Sequence, residues 1–259
     1  MSYERIKVAT KALGLYRAAR WVNRHVFDRE ELARRNADAA FFKQVLRPGE
    51  LVFDVGANYG EKSAALLEAG ARVIAFEPQP DCFAELVSRC GSNPNLTVLQ
   101  KAVGAKSGQA RFFVREKRGT SGLMQQWEGT VESEITVEVT TVQQAIEQYG
   151  KPGYVKIDVE GFELEVLKGL QESVPLISFE YHLRDDTVDE ARKCIRELGR
   201  FGEQVEINFS PAEDLKFALP RWLSPNEFDR FYPEGLKNIP GCEGYGDIFV
   251  RIKPSARSS

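Results

Sequence analysis

The chain contains no uninterrupted apolar run of about 18 residues, so no membrane-spanning helix is expected. Near the N-terminus, Lys7, Lys11, Arg17 and Arg20 break up every candidate apolar segment, which argues against a secretory leader. Cysteine is sparse: Cys82, Cys90, Cys194 and Cys242, with no C-x-x-C pair among them. That spacing suits neither a zinc site nor a disulfide framework. Reduced thiols in the cytoplasm are the expectation. Histidine is rarer still, with only His25 and His182. The chain also lacks an excess of positive charge, since its formal net charge is −3. No nucleic-acid partner is therefore expected from the charge balance. Internal repeats and low-complexity tracts are absent.

What charge there is lies unevenly. Residues 1–48 hold eleven Lys/Arg against five Asp/Glu, a local net of +6, on a body that is acidic. Such a segment either meets an anionic partner or forms an ordinary solvated helical face, and the second is favoured. Within residues 3–46 the apolar positions Val8, Ala12, Leu15, Ala19, Val22 and Val26 recur at helical spacing. Pro48 and Gly49 stop the pattern. Trp21 and Phe27, set among arginines, suit a membrane surface or packing on the main body, and packing is favoured. The chain of 259 residues divides into a helical extension, 1–48, and one large domain, 49–259.

The domain opens a different pattern. Leu51–Val55, Arg72–Phe76, Leu96–Leu99, Tyr154–Val159 and Leu176–Phe179 are short, nearly continuous apolar runs. Runs of that kind suit parallel strands covered on both faces. Helical stretches lie between them at Glu61–Ala69, Asp81–Cys90, Phe162–Leu170 and Asp189–Leu198. The alternation predicts an α/β, doubly wound sheet. Arg111–Arg115 and Thr136–Val142 read as strands of an insertion around a loop at 117–134. Val205–Phe209 and Asp247–Ile252 read as late strands, and Asp214–Pro240 as an irregular excursion.

In such a sheet, ligands bind beyond the carboxyl ends of the strands. The first strand ends in Asp54-Val55-Gly56-Ala57-Asn58-Tyr59-Gly60. Gly56 and Gly60 permit a tight turn, and the next helix offers unpaired N–H groups. A nicotinamide loop has the form G-x-G-x-x-G; here Asn58 holds the middle slot and Asp54 precedes the first glycine. An acid at Asp54 suits loop amides or an amino-acid ammonium, which fits the methionine part of S-adenosylmethionine better than a pyrophosphate. Glu77 stands 21 residues after Gly56, at the end of the second strand, before Pro78. An acid at about that spacing is placed for ribose hydroxyls.

Lys156-Ile-Asp-Val-Glu-Gly161 puts Asp158 and Glu160 at the carboxyl end of the fourth strand, sharing one face if the strand continues. Glu163 and Glu165 follow in the first helical turns, where acids suit the helix dipole. The fifth strand ends in Phe179-Glu-Tyr-His182. His182 at that edge is either a hydrogen-bonded strand-end residue or a base for a substrate hydroxyl. His25 reads as a surface or packing residue. Asp158, Glu160 and His182 offer ligands to a divalent ion, yet nothing in their spacing demands one, and no metal is expected.

Asp54-Val-Gly-Ala-Asn-Tyr-Gly60, Ala75-Phe-Glu-Pro78, Lys156-Ile-Asp-Val-Glu-Gly161 and Gly246-Asp-Ile-Phe249, in that order, resemble the FkbM family of methyltransferases. Ala102-Val-Gly104 and the region of Ser121 also look like the family pattern, and the likeness covers roughly 50–252. It implies a class I methyltransferase fold, a Rossmann-like sheet of seven strands with the last antiparallel. It further implies S-adenosylmethionine as cofactor and O-methylation of a sugar or secondary-metabolite hydroxyl. On that pattern Asp54, Gly56, Asn58 and Gly60 surround the methionine part, Glu77 holds ribose, Lys101–Val103 with Ala102 lies near adenine, and Asp158 faces the sulfonium. His182, then Asp158 or Glu160, are the candidate bases. The basic residues 1–48 fall outside the shared motifs.

Three other readings compete. Methylation of RNA or protein has only the basic N-terminus in its favour, and no Asn/Asp-Pro-Pro-aromatic motif is present. A nicotinamide oxidoreductase is opposed by the missing middle glycine. A non-catalytic S-adenosylmethionine-binding module is opposed by the retained Asp54, Glu77 and Asp158. The acceptor pocket is expected from 117–134, 211–240 and the N-terminal helices, with Trp127, Trp222, Phe228, Phe231 and Tyr232 as stacking or, more often, core residues. The acceptor itself and the oligomeric state are not encoded in any readable pattern.

Overall fold

The computed structural model describes residues 16–253 apart from 118, 202, 203 and 213, with side chains described from Glu30 onward. Seven strands form the main sheet in the order β3-β2-β1-β7-β8-β10-β9. They are β1 (Leu51–Val55), β2 (Arg72–Phe76), β3 (Leu96–Leu99), β7 (Tyr154–Ile157), β8 (Leu176–His182), β9 (Gln204–Pro211) and β10 (Tyr245–Lys253). The pairs along β3, β2, β1, β7 and β8 are parallel. β10 enters antiparallel between β8 and β9. The order reverses direction at β1 and β7, which is where an open α/β sheet leaves its ligand crevice.

Both faces of the sheet are covered, as the continuous apolar strands require. Period-two alternation decides which side chain enters which layer. Phe53 and Val55 of β1 join Ile146, Val166, Leu167 and Cys194 on one face. Val52, between them, joins Phe42, Leu66, Leu86 and Tyr154 on the other. The helices Glu61–Glu68 and Pro80–Cys90 contribute to the second layer, and Val142–Tyr149, Glu163–Lys168 and Val188–Gly199 to the first.

The helix Tyr16–Val45 ends in this second layer, where Phe41 packs edge-on against Phe249 and Phe217. Residues 3–15, and the side chains of Trp21, His25 and Phe27, lie outside the described residues. All four cysteines are buried, and none forms a disulfide among the described residues.

A second sheet of three strands, β4-β6-β5, covers the carboxyl edge. It comprises β4 (Ala102–Val103), β5 (Gly108–Arg115) and β6 (Val131–Thr140). Three sequence expectations change here. The strand expected at Thr136–Val142 begins at Val131 and stops at Thr140. Thr141 is instead the N-cap of helix Val142–Tyr149, with a full capping box to Gln144. The strand expected to reach Val159 ends at Ile157, because Glu160 and Gly161 both adopt positive φ, 56° and 92°, and turn the chain out of the sheet. The excursion at 214–240 holds a helix, Pro225–Phe231, started by a second capping box at Ser224.

Candidate functional site

A cavity of about 470 Å³ lies at the carboxyl edge between the main sheet and the small one. Its floor is the loop after β1. Gly56 has φ 81°, and a Cβ there would sit 1.7 Å from the Asp158 carbonyl oxygen. Only a residue without a side chain lets the loop pass this close to the end of β7. Asn58 also adopts positive φ, 49°, and its backbone N–H donates to Glu77 Oε2 at 2.8 Å. Glu77 Oε1 accepts from the Gln79 N–H at 2.8 Å. One carboxylate thus ties the loop after β1 to the turn after β2. Burial pushes Glu77 up to about 7, against the pull of those two amides.

The expected cofactor residues separate into two groups. Gly56, Asn58, Glu77, Ala102 and Asp158 line the cavity, with Lys101 and Val103 beside Ala102. Asp54 and Gly60 do not. Asp54 is fully buried beneath the loop, and its Oδ2 accepts from Ser63 Oγ at 2.6 Å, which ties β1 to the helix that follows. Gly60, at φ 80°, starts that helix and packs on Leu86, which a Cβ would meet at 2.6 Å. Both support the loop from below.

Beneath the floor, Lys156 is buried with its Nζ 2.9 Å from Asp158 Oδ2 and 4.0 Å from Asp54 Oδ1. Burial pulls this ammonium down, but Asp158, Asp54 and Asp247 more than offset it, and Lys156 sits above its ordinary value. Asp54 is raised by burial, with Lys156 and Ser63 opposing.

The far wall is acidic. Asp158, Glu160 and Glu180 line the cavity; His182 stands just behind. Because the strand ends at Ile157, Asp158 and Glu160 do not share a strand face as a continued strand would place them. The turn instead carries Glu160 to Trp127, whose Nε1 donates to Glu160 Oε2 at 2.8 Å. Burial, Glu180 and Asp158 push Glu160 up to about 8. Glu180 pairs with His182 at 3.0 Å between Oε2 and Nε2. The His182 ring lies edge-on to Trp127 and stacked with Tyr245. One ligand-type atom from each of Glu160, Glu180 and His182 falls within 4.8 Å of the others, so Glu180 stands where the sequence offers Asp158 as the third member of such a cluster.

Several contributors were not legible as site residues. Glu163 is buried and its Oε1 accepts from the N–H groups of Val159 and Gly161, so it shapes the turn as well as standing at a helix start. Arg115 is buried at the end of β5 and donates to the carbonyls of Phe113, Thr120, Met124 and Gln125, which organises the loop over the cavity. Ser121 in that loop accepts from the Arg115 N–H at 3.0 Å. The only sequence signal for Arg115 was a strand-end position. Of the five aromatics expected near the acceptor, Phe228 and Tyr232 are core, Phe231 packs against that core, and Trp222 packs on Phe217. Trp127 alone reaches the acidic wall, and Gly161 is required beside it because a Cβ would come within 2.4 Å of its ring.

These residues fit S-adenosylmethionine. The glycine cradle admits a close ligand, and the buried Asn58 Oδ1 has no hydrogen-bond partner among the described residues. The wall holds more carboxylates than cations, which suits a cofactor bearing a sulfonium and an ammonium. A binding-module reading is not favoured by a cavity that joins this cradle to a wall of carboxylates.

Among known proteins, the chain is 31% identical to the hexuronic acid methyltransferase AglP of Haloferax volcanii, over 61% of this chain and 66% of that protein. It is 28% identical to the methyltransferase sdnD of Sordaria araneosa, over 47% of this chain and 60% of that one. Both matches span less than two thirds of the relative's length. Among solved structures it is similar to Aeropyrum pernix fibrillarin in complex with S-adenosyl-L-methionine, at 10% identity, TM-score 0.44, and 83% and 76% coverage of the two chains. A likeness at that level carries no functional argument. The methyltransferase FkbM domain matches residues 54–201, more than half of the chain, beginning at the buried acid under the cofactor loop. That match and the order of the loop, Glu77 and Lys156–Gly161 motifs agree: the chain belongs to the FkbM family of methyltransferases.

Proposed function

We propose that this protein transfers a methyl group from S-adenosylmethionine to a hydroxyl of a sugar or a secondary metabolite. The observation that carries the reading is the continuity of one cavity, from the cofactor cradle at Gly56, Asn58 and Glu77 to the carboxylate wall at Asp158, Glu160 and Glu180. When bound, the cofactor supplies an activated methyl carbon and a good leaving group. The chain's own task is to align the acceptor oxygen, exclude water and take up a proton. Alignment of this kind contributes about 7–11 kcal/mol. Asp158, fixed by Lys156, faces the reacting end. The acceptor's proton is taken at the wall of Asp158, Glu160 and Glu180, with His182 behind it. A sugar acceptor draws support from the hexuronic acid methyltransferase relative.

Residues 49–259 form the catalytic domain in this reading, and 1–48 a helical extension. Four buried cysteines outside any disulfide support a cytoplasmic setting. Among the described residues no helix is long and apolar enough to cross a membrane.

Methyl-labelled S-adenosylmethionine, offered with uronic acid saccharides, neutral saccharides, hydroxylated lipophilic metabolites, RNA and protein, tests the proposal. Label is expected in an alkali-stable methyl ether on a small acceptor. An alkali-labile methyl ester would move the reaction to a carboxylate, and label in RNA or protein would overturn the acceptor class.

A further inference from the structure

Glu180 stood in the sequence as a strand residue with no assigned role. We propose that Glu180 is the group that takes the acceptor hydroxyl's proton, with His182 as its positioning residue. The inference rests on the O-methyl transfer reading above.

Position carries the argument. Glu180 lines the cavity and His182 does not, so the carboxylate stands between the imidazole and the reacting space. The other carboxylates on this wall each face a donor that keeps its proton. Asp158 Oδ2 is held by the Lys156 ammonium at 2.9 Å, and Glu160 Oε2 by the Trp127 indole at 2.8 Å. Glu180 has a partner of another kind, an imidazole whose Nε2 lies 3.0 Å from Oε2 and donates while the carboxylate is ionised. The ring is itself fixed between Trp127 and Tyr245. The His182 backbone is tied as well, its carbonyl accepting from the Thr187 hydroxyl at 3.3 Å.

The surroundings tune the group. Burial raises Glu180 well above the usual carboxylate range, and Asp158, Glu163 and Asp247 raise it further, with Lys156 opposing. Glu160 faces it from the turn after β7. A more basic carboxylate is a better acceptor for a hydroxyl proton. In the step itself, the acceptor oxygen bonds to the methyl carbon as the carbon–sulfur bond breaks and its electron pair returns to sulfur. The hydroxyl proton passes to Glu180 and leaves to solvent after product departs. No oxidant or further reactant enters.

The test compares Glu180→Gln with wild type on a methylated acceptor. Turnover is expected to fall about 10²–10⁴-fold, while calorimetry gives S-adenosylmethionine affinity within about threefold of wild type. Wild-type turnover is expected to rise with pH as Glu180 ionises. Independently of activity, infrared difference spectra across that range are expected to show a protonated carboxyl band that Glu180→Gln removes. His182→Ala is expected to lower turnover and shift the pH profile, and His182→Gln, which keeps an N–H donor, to recover part of it. Turnover of Glu180→Gln within about threefold of wild type would overturn the proposal. So would loss of wild-type activity to a chelator and its recovery with Mg²⁺ or Mn²⁺, which would make Glu160, Glu180 and His182 a metal site. A wild type that methylates no hydroxyl at all would instead sink the underlying reading.

Discussion

Glu77 serves two structures at once. Its two oxygens bridge the amides of Asn58 and Gln79, so the carboxylate proposed to hold ribose also holds the loop after β1 against the turn after β2. Hydrogen bonds to a charged group contribute about 1.5–3 kcal/mol each. Glu77→Ala is therefore expected to weaken S-adenosylmethionine binding at least about 10-fold by calorimetry, and unchanged affinity would remove Glu77 from the site. Gly56 makes the second residue-scale case. Its φ of 81° already disfavours a side chain, and the Asp158 carbonyl occupies the space a Cβ needs. A non-glycine residue in such a conformation costs about 1–3 kcal/mol before the clash. Gly56→Ala is expected to lower the melting temperature and abolish cofactor binding; a variant that binds normally would overturn the close approach of the loop to the end of β7.

At the scale of elements, termini matter more than interiors. β7 carries the apolar run that makes it a central strand, yet what makes it functional is where it stops. The positive φ values of Glu160 and Gly161 end it after Ile157, and Glu163 holds the resulting turn through two backbone amides. Glycine at 161 announced a turn, but the left-handed glutamate before it was not foreseeable from residue type. Helix Val142–Tyr149 is a counterexample in which the signal was present. Thr141 and Gln144 form a capping box, and the β-branched residues before them masked it. Thr141→Ala is expected to cost about 0.5–2 kcal/mol of stability in thermal melts, without altering cofactor affinity, because that helix packs away from the cavity lining.

Across the whole molecule, the buried acids set how stability responds to pH. Glu77 and Glu163 are raised to about 7, and Glu160 to about 8, each chiefly by burial. Such groups hold their protons more tightly folded than unfolded, where they titrate near 4.5. Their contribution to stability is present below that value and is lost as pH rises through about 7 to 8. The ligand-free protein is therefore expected to melt at progressively lower temperature across that window. Glu160→Gln, which keeps an acceptor for Trp127, is expected to flatten the upper part of the slope. A parallel slope in the variant would show that Glu160 is not the group responsible. Saturating S-adenosylmethionine is expected to stabilise the fold by about 2.7 kcal/mol at a hundredfold excess over its dissociation constant.

The sequence by itself determined the sheet, its parallel character, the cofactor loop and the acid 21 residues beyond Gly56, because these are written in local periodicity and short spacings. It also carried enough motif order to place the family. Only the tertiary structure decided which acids line the cavity. Asp54 and Asp158 belong to motifs of equal prominence, yet one is sealed under the loop against Ser63 and the other lines the cavity. Glu180, silent in the sequence, reaches the same wall as Glu160, and the aromatics of 211–240 retreat into packing while Trp127 does not. These outcomes depend on contacts between residues far apart in the chain, and on where a strand ends. Hydrophobic patterning constrains the face a side chain takes along a strand, but the turn that follows is set by what it packs against.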